Sequence, residues 1–239
     1  ADMLAPLLEI LAQPLKGDFI VDTKAATDEI NAYISKQTRK RIPELLPGGV
    51  LTKMTRAVLT NAIYLKANWA SEFSEESTEA GTFHAPDGEV EAQLMSKSEY
   101  YRLGSAKNLE AVELPYVGDK LAALVVLPDE GKLAAVEKAL DAKSFSKVVD
   151  SLERTYTSLT LPKFEVRQKT LLGERLAAMG MPHAFTDEAN FDAIHEKLAI
   201  SEVVHEAYMK VDEHGTEAAA ATAVAMRATS MPPEPTEFV

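Results

Sequence analysis

Between Glu213 and Glu234 the chain reads EHGTEAAAATAVAMRATSMPPE, and this stretch limits what the rest can fold into. It follows directly on residues 203–211, which alternate as a strand does. Counted by twos, Thr216, Ala218, Ala220, Thr222, Val224, Met226 and Ala228 share one face, and none is charged. Glu217 and Arg227 are the only charges between Thr216 and Thr229, and both fall on the other face. That is the pattern of a strand with one buried side. Yet alanine is a poor strand former and a good helix former, so a surface helix suits the same letters. The run can therefore join a sheet without being bound to stay there, as a segment with two states would. Gly215 supplies a joint after the preceding strand. Pro232-Pro233 imposes an extended exit that no helix continues through.

The 239 residues of the chain are enough for one large domain or two small ones. Charge narrows the partners. The net charge of −12 is spread along the chain, which argues against nucleic acid or an anionic membrane as a partner. Cysteine is absent, so there is no disulfide frame and no thiol chemistry, and the compartment stays open. No signal peptide or membrane span is visible in these residues.

Along the chain, residues 2–13 have helical apolar spacing and residues 18–22 alternate as a short strand. Thr27-Asp28-Glu29 is expected to open a helix capped by Thr27, with Ile30, Tyr33, Ile34 and Thr38 as its buried stripe. Arg39-Lys40-Arg41 reads as its solvated basic end, before Pro43 and Pro47-Gly48-Gly49 break the chain. Residues 58–66, VLTNAIYLK, predict a central strand with Asn61 on the face of Leu59, Ile63 and Leu65. Strands with turns at Pro86-Asp87-Gly88 and Val117-Gly118-Asp119 are expected over 81–126. Short helices are expected over 133–140 and 144–152. In residues 203–211, Val203, His205, Ala207, Met209 and Val211 form the apolar face, opposite Val204, Glu206, Tyr208, Lys210 and Asp212. His205 is thus expected to be a hydrogen-bonded core histidine rather than a catalytic base or ligand.

Motifs for chemistry are missing. There is no GxSxG elbow, P-loop, HExxH or GxGxxG. His84, His183, His195, His205 and His214 lack paired metal-ligand spacing, and Asp187-Glu188 reads as a solvated turn. No catalytic residue, metal or cofactor is expected.

The residues do resemble a family. Glu213-His214-Gly215-Thr216-Glu217-Ala218-Ala219-Ala220-Ala221-Thr222 is similar to the hinge of the reactive-centre loop of inhibitory serpins, of prokaryotic type. Ser230-Met231-Pro232-Pro233-Glu234 is similar to the segment after their scissile bond. The spacing between the two matches without gaps and puts the reactive bond at Thr229–Ser230. Thr60 to Trp69 resembles the family's TNAIYFKGxW motif, with Leu65 and Ala67 where Phe and Gly are usual. Leu94-Met95, Tyr100-Tyr101, Val112-Glu113-Leu114-Pro115-Tyr116, Leu161-Pro162-Lys163-Phe164 and Phe191-Asp192-Ala193-Ile194 add further likenesses.

The resemblance implies an α+β serpin fold: a main five- or six-stranded sheet A, with sheets B and C, surrounded by helices. It implies a single domain over 1–239, with 213–234 as the reactive-centre loop. Glu213, Gly215, Thr216, Glu217, Ala218, Ala220 and Thr222 would form the hinge, Asn61 and His205 the shutter, and Trp69 the breach. The implied function is a monomeric suicide-substrate inhibitor of a serine protease. Thr229 suits an elastase-like or chymotrypsin-like target, whereas a trypsin-like enzyme would cut after Arg227. A non-inhibitory carrier or chaperone-like serpin is the alternative, and an unrelated enzyme or binding module a third. Serpins have N-terminal helices and two C-terminal strands beyond these residues, so the chain is expected to be one piece of a larger molecule.

Overall fold

Asp22 decides where the first described helix begins. Its side chain accepts the Ala25 N–H at 2.8 Å and caps α1, Thr23–Gln37. The helix therefore starts a turn before the expected Thr27. Thr27 lies inside it and donates its hydroxyl to the Thr23 carbonyl. The computed structural model describes residues 22–53, 55, 57–192, 198–217 and 234–239.

The other described elements, in chain order, are β1 (Val58–Tyr64), β2 (Ala67–Asn68), β3 (Thr78–Ala85), β4 (Gly88–Ala106), β5 (Leu109–Pro115) and β6 (Ala122–Pro128). Then come α2 (Leu133–Ala139), α3 (Ala142–Asp150), β7 (Glu153–Pro162), β8 (Phe164–Leu171), α4 (Gly173–Ala178), β9 (Glu202–Asp212), β10 (Gly215–Thr216) and β11 (Thr236–Phe238). They divide into two compact units, Ala1–Leu65 with Val166–Met209 and Lys66–Glu165 with Lys210–Val239.

In the first unit α1 buries Ala26, Ile30 and Ile34 against Ile42, Leu45, Leu46, Leu51, Val204 and Tyr208. Asn31 holds the following turn to the helix, donating to the Leu46 carbonyl and accepting the Leu46 N–H, each at 2.8 Å. Arg41 is not a free solvated end, since its guanidinium lies over the Tyr208 ring at 5.8 Å. Strand β1 runs parallel to β9, in register from Val58 opposite Glu202 to Tyr64 opposite Tyr208. Strand β8 also pairs with β9. Among the described residues β1 has β9 as its one neighbour, although its apolar run predicts a central strand. Leu59 and Ile63 of that run are each 45% exposed among the described residues, so an apolar run does not by itself place a strand at the centre of a sheet.

Both faces of β9 are largely covered: Val203 and Val211 of the expected apolar face are buried, but the face carrying Glu206 is buried more completely. Val204 and Glu206 are fully buried and Tyr208 nearly so, while Met209 is 43% exposed. A carboxylate goes inside only with partners. Glu206 has two, the Arg167 guanidinium and the Lys169 ammonium at 3.2 Å, both from β8. Strand alternation cannot reveal a charge neutralised by a neighbour distant in sequence, and this is why the burial of Glu206 was not legible.

In the second unit the 19-residue β4 is the spine of a sheet ordered β11-β7-β4-β5-β6, with β3 also on β4. Gly88, Asn108, Gly118 and Asp119 take positive φ at its tight turns. Val136 of α2 and Val148 of α3 pack on Leu109 and Ala111 of β5. The two helices fall close to the expected segments.

Candidate functional site

Strand β9 ends at Asp212, and the chain reverses through Glu213 and His214 into β10. The two residues of β10 pair antiparallel with β9, Gly215 with Asp212 and Thr216 with Val211. They also pair antiparallel with β2, Gly215 with Asn68 and Thr216 with Ala67. So β10 is the opening of a strand laid between the end of β9 and β2. Gly215 is there because no other residue fits. Its φ is +146°, and a Cβ would run into the Ala67 carbonyl oxygen and lie 2.8 Å from Asn68 Cα.

Trp69 forms the wall of this seat. It is 4% exposed, and its indole N–H donates to the Asp212 carbonyl at 3.0 Å. Its backbone N–H donates to the His214 carbonyl, and that of Phe73 to the Glu213 carbonyl. The indole stacks on Tyr116, with centroids 4.7 Å apart and planes at 7°. The Tyr116 hydroxyl is 2.6 Å from Thr216 Oγ1, and burial pushes its phenol above the usual range despite that bond. Thr216 is thus buried at 1% exposure rather than standing out as bait. Glu217 is buried too, with its N–H on the Lys210 carbonyl at 3.0 Å. Its φ of +48° turns the chain off the strand line at that residue. The simple alternation that would point Glu217 away from Thr216 does not yet apply there.

Two charged groups fix the turn. Buried Glu213 accepts from Thr78 Oγ1 and from Lys163 Nζ, each at 2.8 Å. Burial acts to raise its carboxyl, but Lys163, the turn's backbone N–H and Thr78 outweigh this and hold it below the usual carboxylate range. His214 faces Glu72 at 3.0 Å through Nδ1 and Glu75 at 3.3 Å through Nε2. The hydrogen bond to Glu72 leads in raising its imidazole above the usual value.

In the first unit, Asn61 of β1 lies opposite His205 of β9. Asn61 Oδ1 is 2.9 Å from His205 Nδ1, and both side chains are half-buried. With Nδ1 as donor, the pair bridges two strands that otherwise meet through backbone bonds.

Comparison with known proteins places this architecture. A family profile described as Serpin (serine protease inhibitor) matches residues 11–239. The chain belongs to the serpin family. An uncharacterized serpin-like protein of the archaeon Thermococcus kodakarensis is 39% identical over 218 residues, 90% of this chain and 50% of that one. A protein of Cyanea capillata named serine protease inhibitor is 34% identical over 226 residues, 91% of this chain and 60% of that one. Among solved structures, the native-state thermophilic serpin Tengpin is similar with a TM-score of 0.80 and 25% identity, covering 90% of this chain and 57% of that one. The chain therefore spans about half the length of the curated relatives it matches. The fold is the α+β serpin fold, with mixed sheets and flanking helices.

Of the residues singled out in this serpin, Glu213, Gly215, Thr216, Glu217 and Trp69 lie in the second unit, with Gly215 against the Trp69 backbone, and Asn61 meets His205 in the first. Ala218, Ala220, Thr222, Thr229 and Ser230 lie outside the described residues. Sequence reasoning missed Tyr116, Lys163, Thr78 and Glu72 as partners of Thr216, Glu213 and His214. Tyr116 and Lys163 sit in quoted motifs, but a motif does not state what its side chain touches. No helix among the described residues is long and apolar enough to cross a membrane.

Proposed function

We propose that this serpin inhibits serine proteases as a suicide substrate, cleaved at Thr229–Ser230. The observation that carries the reading is β10, whose Gly215 and Thr216 are paired on both sides as the first two residues of a strand. The resemblance to inhibitory serpins implies that a strand begun in this way continues alongside β9. The protease's serine attacks the Thr229 carbonyl, an ester to Thr229 forms, and Ser230 leaves as a new amino terminus. The freed segment then continues β10 as a full strand, with Thr216, Ala218, Ala220, Thr222, Val224 and Met226 facing inward, and carries the acylated protease with it. Glu217 must give up its positive φ for extended backbone, which turns its charge to the other face. The Asn61–His205 pair parts as the new strand comes between β1 and β9. In this reading the chain contributes no catalytic residue of its own.

A threonine before the cut suits an elastase-like pocket, or a chymotrypsin-like one. A trypsin-like enzyme cutting after Arg227 would shorten the insert by two residues and turn the serpin into a substrate. The test is incubation with one protease of each kind, followed by denaturing electrophoresis and sequencing of the released fragment. A detergent-stable complex and a fragment beginning at Ser230 are expected with the elastase-like enzyme. Cleavage to small pieces with no complex for any enzyme would overturn inhibition and favour a carrier or chaperone-like serpin.

A further inference from the structure

We propose that His214, in its charged form, is a positioning residue that seats β10, so that the hinge is held more firmly near pH 6 than in alkaline solution and loosens as the imidazole loses its proton. The inference deepens the loop-insertion reading and rests on it for its functional meaning. The argument starts from proton count. Both ring nitrogens of His214 face carboxylate oxygens, Nδ1 toward Glu72 Oε2 at 3.0 Å and Nε2 toward Glu75 Oε1 at 3.3 Å. A neutral imidazole has one N–H and satisfies one of them, whereas an imidazolium donates to both. A third carboxylate, Asp212, accepts the His214 backbone N–H at 3.1 Å. The nearby cations are engaged elsewhere. Lys210 pairs with Asp212, Lys163 with Glu213 and Lys97 with Glu99, and Lys97 reaches only the backbone carbonyl of Glu72. Asn68 of β2 adds a neutral donor to Glu72 Oε1 at 3.4 Å. His214 is therefore the group that neutralises Glu72 and Glu75. Without its charge, Glu72 and Glu75 share one ring N–H between them.

What the charge holds is the turn itself. The His214 carbonyl receives the Trp69 N–H, and the next two residues are β10. The imidazole is raised above its usual value, chiefly by Glu72 and further by Glu75 and Asp212, against an opposing effect of burial. A raised histidine contributes fully below its unfolded value of about 6.5 and is lost as pH climbs through the higher folded value.

The experiment is hydrogen exchange at the Glu217 and Trp69 amides, which donate to Lys210 and His214. Protection, corrected for intrinsic exchange, is compared at pH 6 and pH 8.5 in the wild type, His214→Gln and Glu75→Gln. Glu75 is an exposed position whose change does not threaten folding. Wild-type protection is expected to fall roughly threefold between the two pH values, the scale of a half-exposed ion pair. His214→Gln should be flat and Glu75→Gln intermediate. A fall of equal size in wild type and His214→Gln would overturn the proposal, as would a Glu75→Gln profile identical to wild type. Trapping assays on the same samples separate the two readings. Absence of a complex at both pH values, with the protection difference intact, removes the inhibitor reading and leaves the role of His214 in place.

Discussion

At Gly215 three conditions meet in one residue: a left-handed φ, contact with the Ala67 carbonyl and pairing on both sides. Gly215→Ala should therefore cost roughly 2 kcal/mol or more, read as a shift of the urea midpoint. A loss below about 0.5 kcal/mol would show that the hinge is not seated as described. Glu213 makes a different prediction. Its carboxyl is held below the usual range, so its contribution is present above the unfolded value and disappears as pH falls through the lower folded value. Wild type should melt above Glu213→Gln at pH 7, and the difference should close in strongly acid solution. A difference that persists at the acid end would mean that the Lys163 ion pair is not its source.

Strand β9 works as an element with two unlike faces. One carries Val204, Glu206 and Tyr208 into the core under α1, and the other holds His205 toward Asn61. The first face is fastened by apolar packing and a neutralised carboxylate. The second offers a polar link between β1 and β9. A double-mutant cycle with Asn61→Ala and His205→Ala should give about 1 kcal/mol of coupling. Coupling under about 0.3 kcal/mol would mean that backbone bonds alone join these strands.

For the whole molecule, the consequence of insertion is a larger, better-paired sheet after cleavage than before. Several kcal/mol gained in this way should raise the melting temperature by on the order of 10–20 °C once the loop is cut. Calorimetry before and after limited proteolysis measures it. Thr216→Arg places a charge where a side chain is 1% exposed against Tyr116, so that variant should be cut without forming a complex and without the thermal gain. Unchanged trapping by Thr216→Arg would count against insertion.

Much of this was legible in the chain. Local signals depend on neighbours in sequence, and so the strand 203–211, the turns at Gly88 and Gly118, the paired short helices and the glycine joint at 215 could be read directly. The motifs around Thr60–Trp69 and Glu213–Thr222 carried the family. Tertiary structure decided the rest, for one physical reason: a side chain's environment is made by residues far away in the chain. Only the approach of Arg167 and Lys169 lets Glu206 turn inward. Only Tyr116 and Trp69 turn Thr216 from a loop residue into a buried one. Only the folded turn brings Glu72 and Glu75 to both nitrogens of His214.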